Sequence, residues 1–489
     1  MNLNIVIASV IGAVVAFASV QWIYFKTLKI AYMKGLVDNP DARKLQRKPV
    51  PLVGGLAVYF GLLAGMMVVT TLNYFTASEE IHDCLFPVFT AMTVMLYVGA
   101  LDDIMGLSPR TRIFFEIAVV LCLIYSSGMC IDTFRGLWGL WDLSWWIAVP
   151  LTVFAGVGII NAVNMIDGVN GLSSGLCITC SVLFGIAFLK AQDASNAVLA
   201  FSMAAALIPF YIHNVFGSKS RMFIGDAGTM MMGMLITWFL LCLLSRENHV
   251  TYYDNVNINM IAFSLAVMSV PVFDTLRVMA MRACKGHNPF HPDRTHLHHA
   301  FVNVGVSHFI TSTTEILISL IITGIWALSV VLGAGVDMQL YVVIGSSVIF
   351  VWGLYVFLHY HATHHTEFMH KLSGFSVRTQ LGRTKWWKAI TDFLDRPIDY
   401  EISNPAVKAG EEAEVESVNY KERDRRLILE YMKGKAEVHV DDLMANSGAE
   451  SLRVFSLIFE EELNGNIVVV KSNPRGMPEI VALKSEMYN

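Results

Sequence analysis

The residues most able to do chemistry are concentrated in one short stretch. Four histidines, an aspartate and an arginine lie in HPDRTHLHHAF at 291–301. Zinc needs three or four ligands arranged around it, and His296, His298 and His299 cannot all face the same way on a regular helix. Arg294 is an unfavourable neighbour for a cation, whereas a guanidinium with several imidazole donors suits phosphate oxygens. We therefore interpret the cluster as a phosphate or pyrophosphate site; a metal site and a purely structural cluster are the alternatives.

Carboxylate and amide side chains stand at the ends of other apolar segments. Asp102 and Asp103 are adjacent in GALDDIMGLSP, where two negative charges repel unless a cation lies near. Asn164 and Asp167 are three residues apart in NAVNMIDGVNG and face the same way on a helical turn. Asp226 stands between two glycines at the start of a long apolar segment. Because oxygen ligands suit Mg²⁺, we predict a magnesium site, with Mn²⁺ as an alternative metal and helix capping as the structural alternative.

Two further polar segments have less specific interpretations. The segment 38–55 carries Lys44 and Lys48 ahead of a Pro-x-x-Gly-Gly sequence. It predicts a cationic mouth for an anionic substrate, and anchoring by basic residues at the membrane is the alternative. Asp274 lies in PVFDTLRVMAMR at 271–282. It either contributes to the site or pairs with an arginine of the same segment.

The elements that must position these residues are long and apolar. Of the 489 residues, 55% are hydrophobic and 15% are charged, with a mean hydropathy of +0.53, whereas soluble domains carry about 25% charge. A membrane-spanning helix needs about 20 apolar residues. About eleven such runs lie near 3–24, 51–72, 84–101, 112–129, 145–161, 172–189, 196–212, 223–245, 258–281, 309–333 and 338–358. We therefore predict an all-α polytopic membrane protein with about eleven transmembrane helices.

Lysine and arginine indicate the orientation of these helices. The segment 25–50 carries seven of them, and the next connection, 73–83, carries none. Basic residues favour the cytoplasmic side, so we predict an external N-terminus and a cytoplasmic tail from 359. The predicted cytoplasmic connections are 25–50, 102–111, 162–171, 213–222 and 282–308. Nearly all the polar clusters then fall on the cytoplasmic face.

The chain changes character after the last apolar run. Residues 1–358 form the predicted transmembrane domain, 359–419 a linker, and 420–489 a small soluble α+β domain. Three short predicted helices followed by a hairpin resemble a winged helix. Acidic residues slightly outnumber basic ones there, and the whole chain has a net charge of −5, so nucleic-acid binding is disfavoured. We predict a cytoplasmic module that binds a protein partner.

Six motifs in series resemble one family, the polyprenyl-phosphate N-acetylhexosamine-1-phosphate transferases. They are PVPLVGG at 49–55, LDD at 101–103, NAVNMIDGVNGL at 161–172, FIGDAGT at 223–229, PVFDTLR at 271–277 and HNPFHPDRTHLHH at 287–299. The HLHH and N-x-x-D-G-x-N-G-L forms are most similar to the branch that uses UDP-N-acetylglucosamine. The resemblance covers roughly residues 1–358, and it does not account for the tail beyond 400.

The resemblance implies a reaction and a location. In an Mg²⁺-dependent reaction, a UDP-N-acetylhexosamine would transfer its sugar-1-phosphate to undecaprenyl phosphate, and UMP would leave. The branch that the motifs resemble most indicates UDP-N-acetylglucosamine as the donor. The product would start a lipid-linked glycan at a bacterial plasma membrane, with the active site in the cytoplasm. The oligomeric state stays open, with a homodimer as one option.

The resemblance also implies roles for the matching residues. Asn164 and Asp226 would hold Mg²⁺ and the pyrophosphate, with the catalytic Asp167 close by. Asp102 and Asp103 would lie at the reaction centre as catalytic residues. Substrate binding would involve Arg294, His296, His298, His299, Asn214, Lys44, Lys48 and Asp274.

Two other functions stand as alternatives. A transporter or flippase of lipid-linked intermediates would place charges at mid-membrane depth and show internal repeats. A membrane-tethered regulator would act through its winged-helix tail, and would lose its function when residues 400–489 are deleted.

Overall fold

The computed structural model shows a mostly helical chain. It describes residues 3–38, 49–76, 85–246, 253, 257–286, 295–364, 384–398, 420–435, 437–447, 449, 454, 457–458, 461–462, 466–472 and 478–484. Up to residue 364 the elements are α1 Leu3–Lys34, β1 Val37–Asp38, β2 Val50–Pro51, α2 Gly54–Thr76, α3 Leu85–Met105, α4 Pro109–Ser127, α5 Trp145–Met165, α6 Leu172–Ala191, α7 Ala194–Phe216, α8 Gly225–Leu244, α9 Met260–Val267, α10 Ser269–Cys284, α11 Leu297–Asn303, α12 His308–Val331 and α13 Val336–Thr363.

Helices occupy all eleven positions that the apolar runs predict. Within the described ranges, nine of them are long and apolar enough to cross a membrane, and ten if the bent pair α9–α10 counts as one span. The remaining helix, α4, has three charged residues, Arg110, Arg112 and Glu116, in its first eight positions. The chain is therefore a multi-pass membrane protein, and α4 differs from the predicted apolar spans in composition.

The ninth predicted span is not one continuous helix. Its two halves, α9 and α10, meet at an angle of 80° around Met268. Pro271 has no N–H to donate to the carbonyl of Val267, and this lost bond favours a break in the helix. The hydroxyl of Ser319 on α12 donates to that carbonyl instead, at 2.8 Å. The apolar run predicted near 258–281 therefore forms a bent pair of helices that together pass as one candidate span.

Helix α8 lies at the centre of the bundle, and its apolar window is entirely buried. It packs against α2, α3 and α5. Glycines permit these close approaches: a Cβ on Gly99 of α3 would lie 2.5 Å from the backbone of Ala227, and one on Gly55 of α2 would lie 2.5 Å from the backbone of Gly228. The start of α8 is thus fixed by backbone-to-backbone contact on two sides.

The connections at the far end of the bundle contact one another. The guanidinium of Arg246 pairs with Asp142 at 2.8 Å. The backbone N–H of Trp138 donates to Asp337 at 2.7 Å, which joins the 128–144 connection to the start of α13. These residues belong to the connections predicted to lie outside the cell.

The tail contains further elements. Helix α14 spans Lys385–Asp395, α15 spans Tyr420–Met432 and α16 spans Val440–Asn446, and the strands are β3 Val438–His439, β4 Ile467–Ser472 and β5 Pro478–Leu483. The strands form an antiparallel sheet in the order β3–β5–β4. Its core contains Ile428, Met432, Leu443 and Val481. The winged-helix interpretation and the domain boundaries stay predictions.

Replacing Gly99 by Ala should separate α3 from α8. The new methyl group would overlap the backbone of Ala227, and overpacking of this kind costs about 1–3 kcal/mol of unfolding free energy. Gly158→Ala in α5 is the matched control, because a Cβ there meets nothing within 4 Å. Thermal unfolding in detergent should show a lower transition temperature for Gly99→Ala alone. Equal behaviour of the two variants would contradict the close contact.

Candidate active site

The connections predicted to share one face do meet in the structure. The loop before α8 pairs with β2, because Phe223 N–H donates to the Pro51 carbonyl at 2.8 Å and Gly54 N–H donates to the Phe223 carbonyl at 3.0 Å. Strands β1 and β2 pair antiparallel. The segment between them, with Lys44 and Lys48, lies outside the described residues, so the predicted cationic mouth stays a prediction.

Asp103 holds the start of α8. Its two carboxylate oxygens accept the backbone N–H groups of Asp226 at 2.9 Å and Ala227 at 3.1 Å. The first N–H groups of a helix have no partner within the helix, so a carboxylate here both satisfies them and matches the helix dipole. Gly225 has φ +71°, and a Cβ there would lie 2.5 Å from Asp103 Oδ2. The LDD and GDAG motifs therefore form one unit, in which Asp103 positions Asp226.

Asp102 is paired with an arginine that sequence reasoning missed. Its Oδ2 accepts Arg112 Nη1 at 3.0 Å, and its Oδ1 accepts the backbone N–H of Leu107 at 2.7 Å. The same Arg112 Nη1 lies 3.9 Å from Asp226 Oδ2. The guanidinium of Arg112 thus lies between the carboxylates of Asp102 and Asp226. The adjacent aspartates Asp102 and Asp103 predict a positive charge near them, and Arg112 supplies one. The available signal was the group of charged residues, Arg110, Arg112 and Glu116, at the start of an apolar segment.

Arg112 is itself oriented by two polar side chains, those of Asn161 and the buried Glu116. Its Nη2 donates to Asn161 Oδ1 at 3.3 Å, and its Nε lies 3.6 Å from Glu116 Oε1. Asn161 Nδ2 donates to Glu116, whose side chain is fully buried. A guanidinium held by groups on two helices has little freedom to turn away. Sequence reasoning missed Glu116 and Asn161 as well.

Asn164 and Asp226, the predicted metal ligands, are in direct contact. Asn164 Nδ2 donates to Asp226 Oδ1 at 2.7 Å and to Thr229 Oγ1 at 2.9 Å. The amide oxygen is then the Asn164 atom suited to a cation, and about a third of the Asp226 side chain is exposed. These oxygen donors fit Mg²⁺, which usually binds one or two carboxylates and keeps several waters. The described residues hold no preformed cluster of three His, Cys, Asp or Glu side chains.

Asp167 lies in the loop between α5 and α6. Its side chain accepts the hydroxyl of Ser173, and its surface is exposed. Desolvation by the surrounding protein, with a smaller contribution from the negative charge of Asp226, raises the pKa of Asp167 to about 7. The exposed surface of Asp167 leaves its carboxylate accessible to a ligand. It can hold or release a proton near neutral pH.

Asn214 connects two loops of the site. It is buried, its Oδ1 accepts the Gly171 N–H at 2.7 Å, and its Nδ2 donates to the Met222 carbonyl at 2.8 Å. These bonds join the loop that carries Asp167 to the loop that leads to Asp226. They support a positioning role for Asn214, and its predicted contact with substrate stays a prediction.

Asp274 organises the histidine segment. It is buried, and it accepts Arg277 Nη2 at 2.7 Å and the Leu297 N–H at 3.2 Å. His296 Nδ1 lies 2.8 Å from the second carboxylate oxygen. The sequence left two interpretations of Asp274 open, and the structure shows the second: Asp274 pairs with Arg277, a basic residue of its own segment. The carboxylate also fixes the direction in which His296 Nε2 points.

Two buried histidines next to the Asp167 loop have ring nitrogens without hydrogen-bond partners in the described part of the chain. These atoms are His296 Nε2 and both ring nitrogens of His298. A Cβ on Gly168 would lie 2.6 Å from His298 Nε2, so only glycine permits this approach. Burial lowers the pKa of His298 well below its usual value, with a further decrease from neighbouring His299. Arg294 lies outside the described residues, so its part in the predicted phosphate site is still to be tested.

These features define a membrane-embedded protein with a carboxylate, amide and histidine site at one end of its helix bundle. The sequence matches Glycosyl transferase family 4 over residues 85–244, a stretch that contains Asp102, Asp103, Asn164, Asp167 and Asp226. The chain belongs to this family.

Three curated relatives illustrate the similarity. The Escherichia coli (strain K12) protein named undecaprenyl-phosphate alpha-N-acetylglucosaminyl 1-phosphate transferase is 30% identical over 288 residues, which is 58% of this chain and 73% of the relative. The Salmonella typhimurium protein of the same name is 28% identical over 323 residues, 64% of this chain and 80% of the relative. The Bacillus subtilis (strain 168) protein, with the same activity named as probable, is 30% identical over 305 residues, 61% of this chain and 78% of the relative.

Replacing Arg112 by Gln should destabilise the site. Asp102, Glu116 and Asp226 would lose a positive charge, and an uncompensated, partly buried carboxylate costs about 1–3 kcal/mol. Arg110→Gln is the matched control, because Arg110 lies two residues earlier in the same helix and is exposed. Thermal unfolding of both variants in detergent measures the difference. A loss of stability that is equal in the two variants would show that Arg112 has no special electrostatic role.

Proposed function

We propose that the protein transfers N-acetylglucosamine-1-phosphate from UDP-N-acetylglucosamine to undecaprenyl phosphate, releases UMP and so starts a lipid-linked glycan of the cell envelope. Family membership and the names of the relatives support this reaction. The observation that carries it in the structure is the Asn164–Asp226 contact at 2.7 Å beside Arg112. This contact places oxygen atoms that can bind a cation next to the positive charge of Arg112, at one end of the helix bundle.

The chemistry needs placement of charge more than a strong base. A lipid phosphate oxygen attacks the β-phosphorus of the UDP-sugar, a new P–O bond forms, and the bond between the β-phosphorus and the UMP oxygen breaks. A phosphate monoester has a second pKa near 6, so the attacking oxygen is largely deprotonated at neutral pH. The protein must mainly bring two anions together and stabilise the charge on the leaving UMP.

Separate parts of the site would contribute to this task. Asn164 and Asp226 would hold Mg²⁺, which supplies charge neutralisation of the pyrophosphate. Arg112 adds a fixed positive charge beside Asp226. The negative charge of Asp226 contributes to the raised pKa of Asp167, and Asp167 would position the bound phosphates or exchange a proton with them.

The histidine segment would bind the diphosphate or the sugar. His298 lies against Gly168, so it borders the loop that carries Asp167. The buried His296 Nε2 is directed by the bond between its Nδ1 and Asp274. Imidazole groups held in this way suit recognition of an anionic or hydroxyl-rich ligand, and Arg294 and His299 would complete the set.

The contacts of Asp103 favour direct attack by the lipid phosphate. A two-step route would need an aspartate that is free to form an aspartyl-phosphate. Both oxygens of Asp103 accept backbone N–H groups of α8, and Asp102 is tied to Arg112 and Leu107. Either carboxylate would have to abandon a structural role to become the nucleophile.

The setting of the reaction follows from the same proposal. UDP-sugars are cytoplasmic, so the site would face the cytoplasm of a bacterial plasma membrane, with the N-terminus outside. The basic segment that includes Lys44 and Lys48 would guide the phosphates to the entrance. The tail from 420 would bind a cytoplasmic protein partner, and the assembly could be a homodimer.

Release of UMP by the purified full-length protein tests the function. Undecaprenyl phosphate, Mg²⁺ and a panel of UDP-sugars are supplied in detergent, and Asp226→Asn should lower the rate by about 100-fold or more, as losses of electrostatic stabilisation do. Asp142→Asn is the control, because Asp142 is an exposed carboxylate at the opposite end of the bundle. Lipid-dependent release with UDP-N-acetylglucosamine supports the proposal. Folded protein that releases no UMP from any donor contradicts it.

A further inference from the structure

Helix α14, at Lys385–Asp395, is part of the tail that family resemblance does not explain. Its side chains divide into two faces. Trp387, Thr391 and Leu394 are at least partly buried, whereas Trp386 is 48% exposed and Phe393 is 67% exposed. The helix is therefore docked on one side and presents large apolar side chains on the other.

The docked face is held by a carboxylate in a backbone cradle. Asp395 accepts the backbone N–H groups of Lys219 and Ser220, each at 2.9 Å, and that of Ser218 at 3.3 Å. The hydroxyl of Ser220 also donates to it at 2.7 Å. Successive N–H groups that converge on one anion form a strong and specific contact. This loop continues directly into the segment that leads to Asp226.

The docking place lies at the ends of two spans. The hydroxyl of Thr391 donates to the carbonyl of Phe216, the last residue of α7, at 2.8 Å. The Trp387 ring lies 4.7 Å from the Phe216 ring and 5.4 Å from the ring of Phe309 in the first turn of α12. Helix α14 therefore lies against the ends of two candidate membrane spans.

The outward face combines apolar and basic side chains. Trp386, Ala389 and Phe393 are exposed and follow one another at helical spacing, so they form one stripe. Three exposed basic residues, Lys385, Lys388 and Arg396, accompany one exposed acidic residue, Asp392. A tryptophan-containing apolar stripe flanked by basic residues is typical of helices that lie in the membrane interface.

We propose that α14 is an interfacial helix, whose outer face inserts Trp386 and Phe393 between lipids and whose basic residues bind anionic headgroups. The excess of positive charge on the exposed face matches an anionic lipid surface, and the helix packs against the ends of α7 and α12, which are long and apolar enough to cross a membrane. The helix thereby ties the cytoplasmic tail to the membrane and, through Asp395, to the loop that leads to the active site.

Quenching of tryptophan fluorescence by brominated phospholipids tests the insertion. The full-length protein is placed in vesicles of phosphatidylcholine and phosphatidylglycerol, and Trp386→Phe is compared with Trp387→Phe. Trp386 is exposed, whereas Trp387 packs against Phe216 and Phe309. The Trp386 component should therefore be quenched by bromolipid at least about twofold more than the Trp387 component. A Trp386 component that bromolipid leaves unchanged, but that aqueous iodide quenches, overturns the proposal.

The charge requirement has its own test. Hydrogen exchange of residues 385–396 is compared in vesicles with and without phosphatidylglycerol. The anionic lipid should slow exchange severalfold in the natural protein, and the double variant Lys385→Gln/Lys388→Gln should lose most of this effect. Lys190→Gln is the matched control, since Lys190 is an exposed lysine at the opposite end of the bundle. Exchange that does not respond to anionic lipid, or a response unchanged in the double variant, contradicts binding of headgroups.

Discussion

The buried start of α8 is the constraint on which the site depends. A helix enclosed on all sides cannot leave its first N–H groups without acceptors, because each unsatisfied buried donor costs stability. Asp103 supplies the acceptors, and its reach is set by the glycine contact between α3 and α8. Asp226, the first acidic residue of α8, is consequently placed beside Asn164. Close helix packing at the start of α8 thus determines the geometry of the neighbouring site.

The site also depends on the balance of charge around its three neighbouring aspartates. Asp102, Asp103 and Asp226 are close in space, and neighbouring carboxylates repel each other unless positive charge or N–H groups intervene. Arg112 meets two of them, and the N-terminus of α8 meets the third. A site built in this way has oxygen donors ready for a cation and a fixed positive charge for a phosphate. Both properties suit the transfer of a phosphoryl group between two anionic substrates.

The sequence predicted the helix positions and many of the site residues, because local patterns of residues encode both. Apolar length gave the helix positions, and carboxylates at helix ends indicated the residues that meet at one face, including Asn164 and Asp226. It could not pair Arg112 with Asp226, because that contact joins helices more than a hundred residues apart. The bend at Met268 was missed since the run stays apolar through Pro271. Asp395 was missed because its acceptor role exists only once the 218–220 backbone has folded.

In the proposed reaction, the group that moves is the sugar together with its β-phosphate. The most direct measurement follows the phosphorus, using UDP-N-acetylglucosamine labelled at the β-position, undecaprenyl phosphate and the full-length protein. We expect the label to appear in the lipid product while unlabelled UMP is released. Label that stays in soluble UDP while the sugar reaches the lipid would contradict it, because the bond broken would then be the one between the sugar and its phosphate.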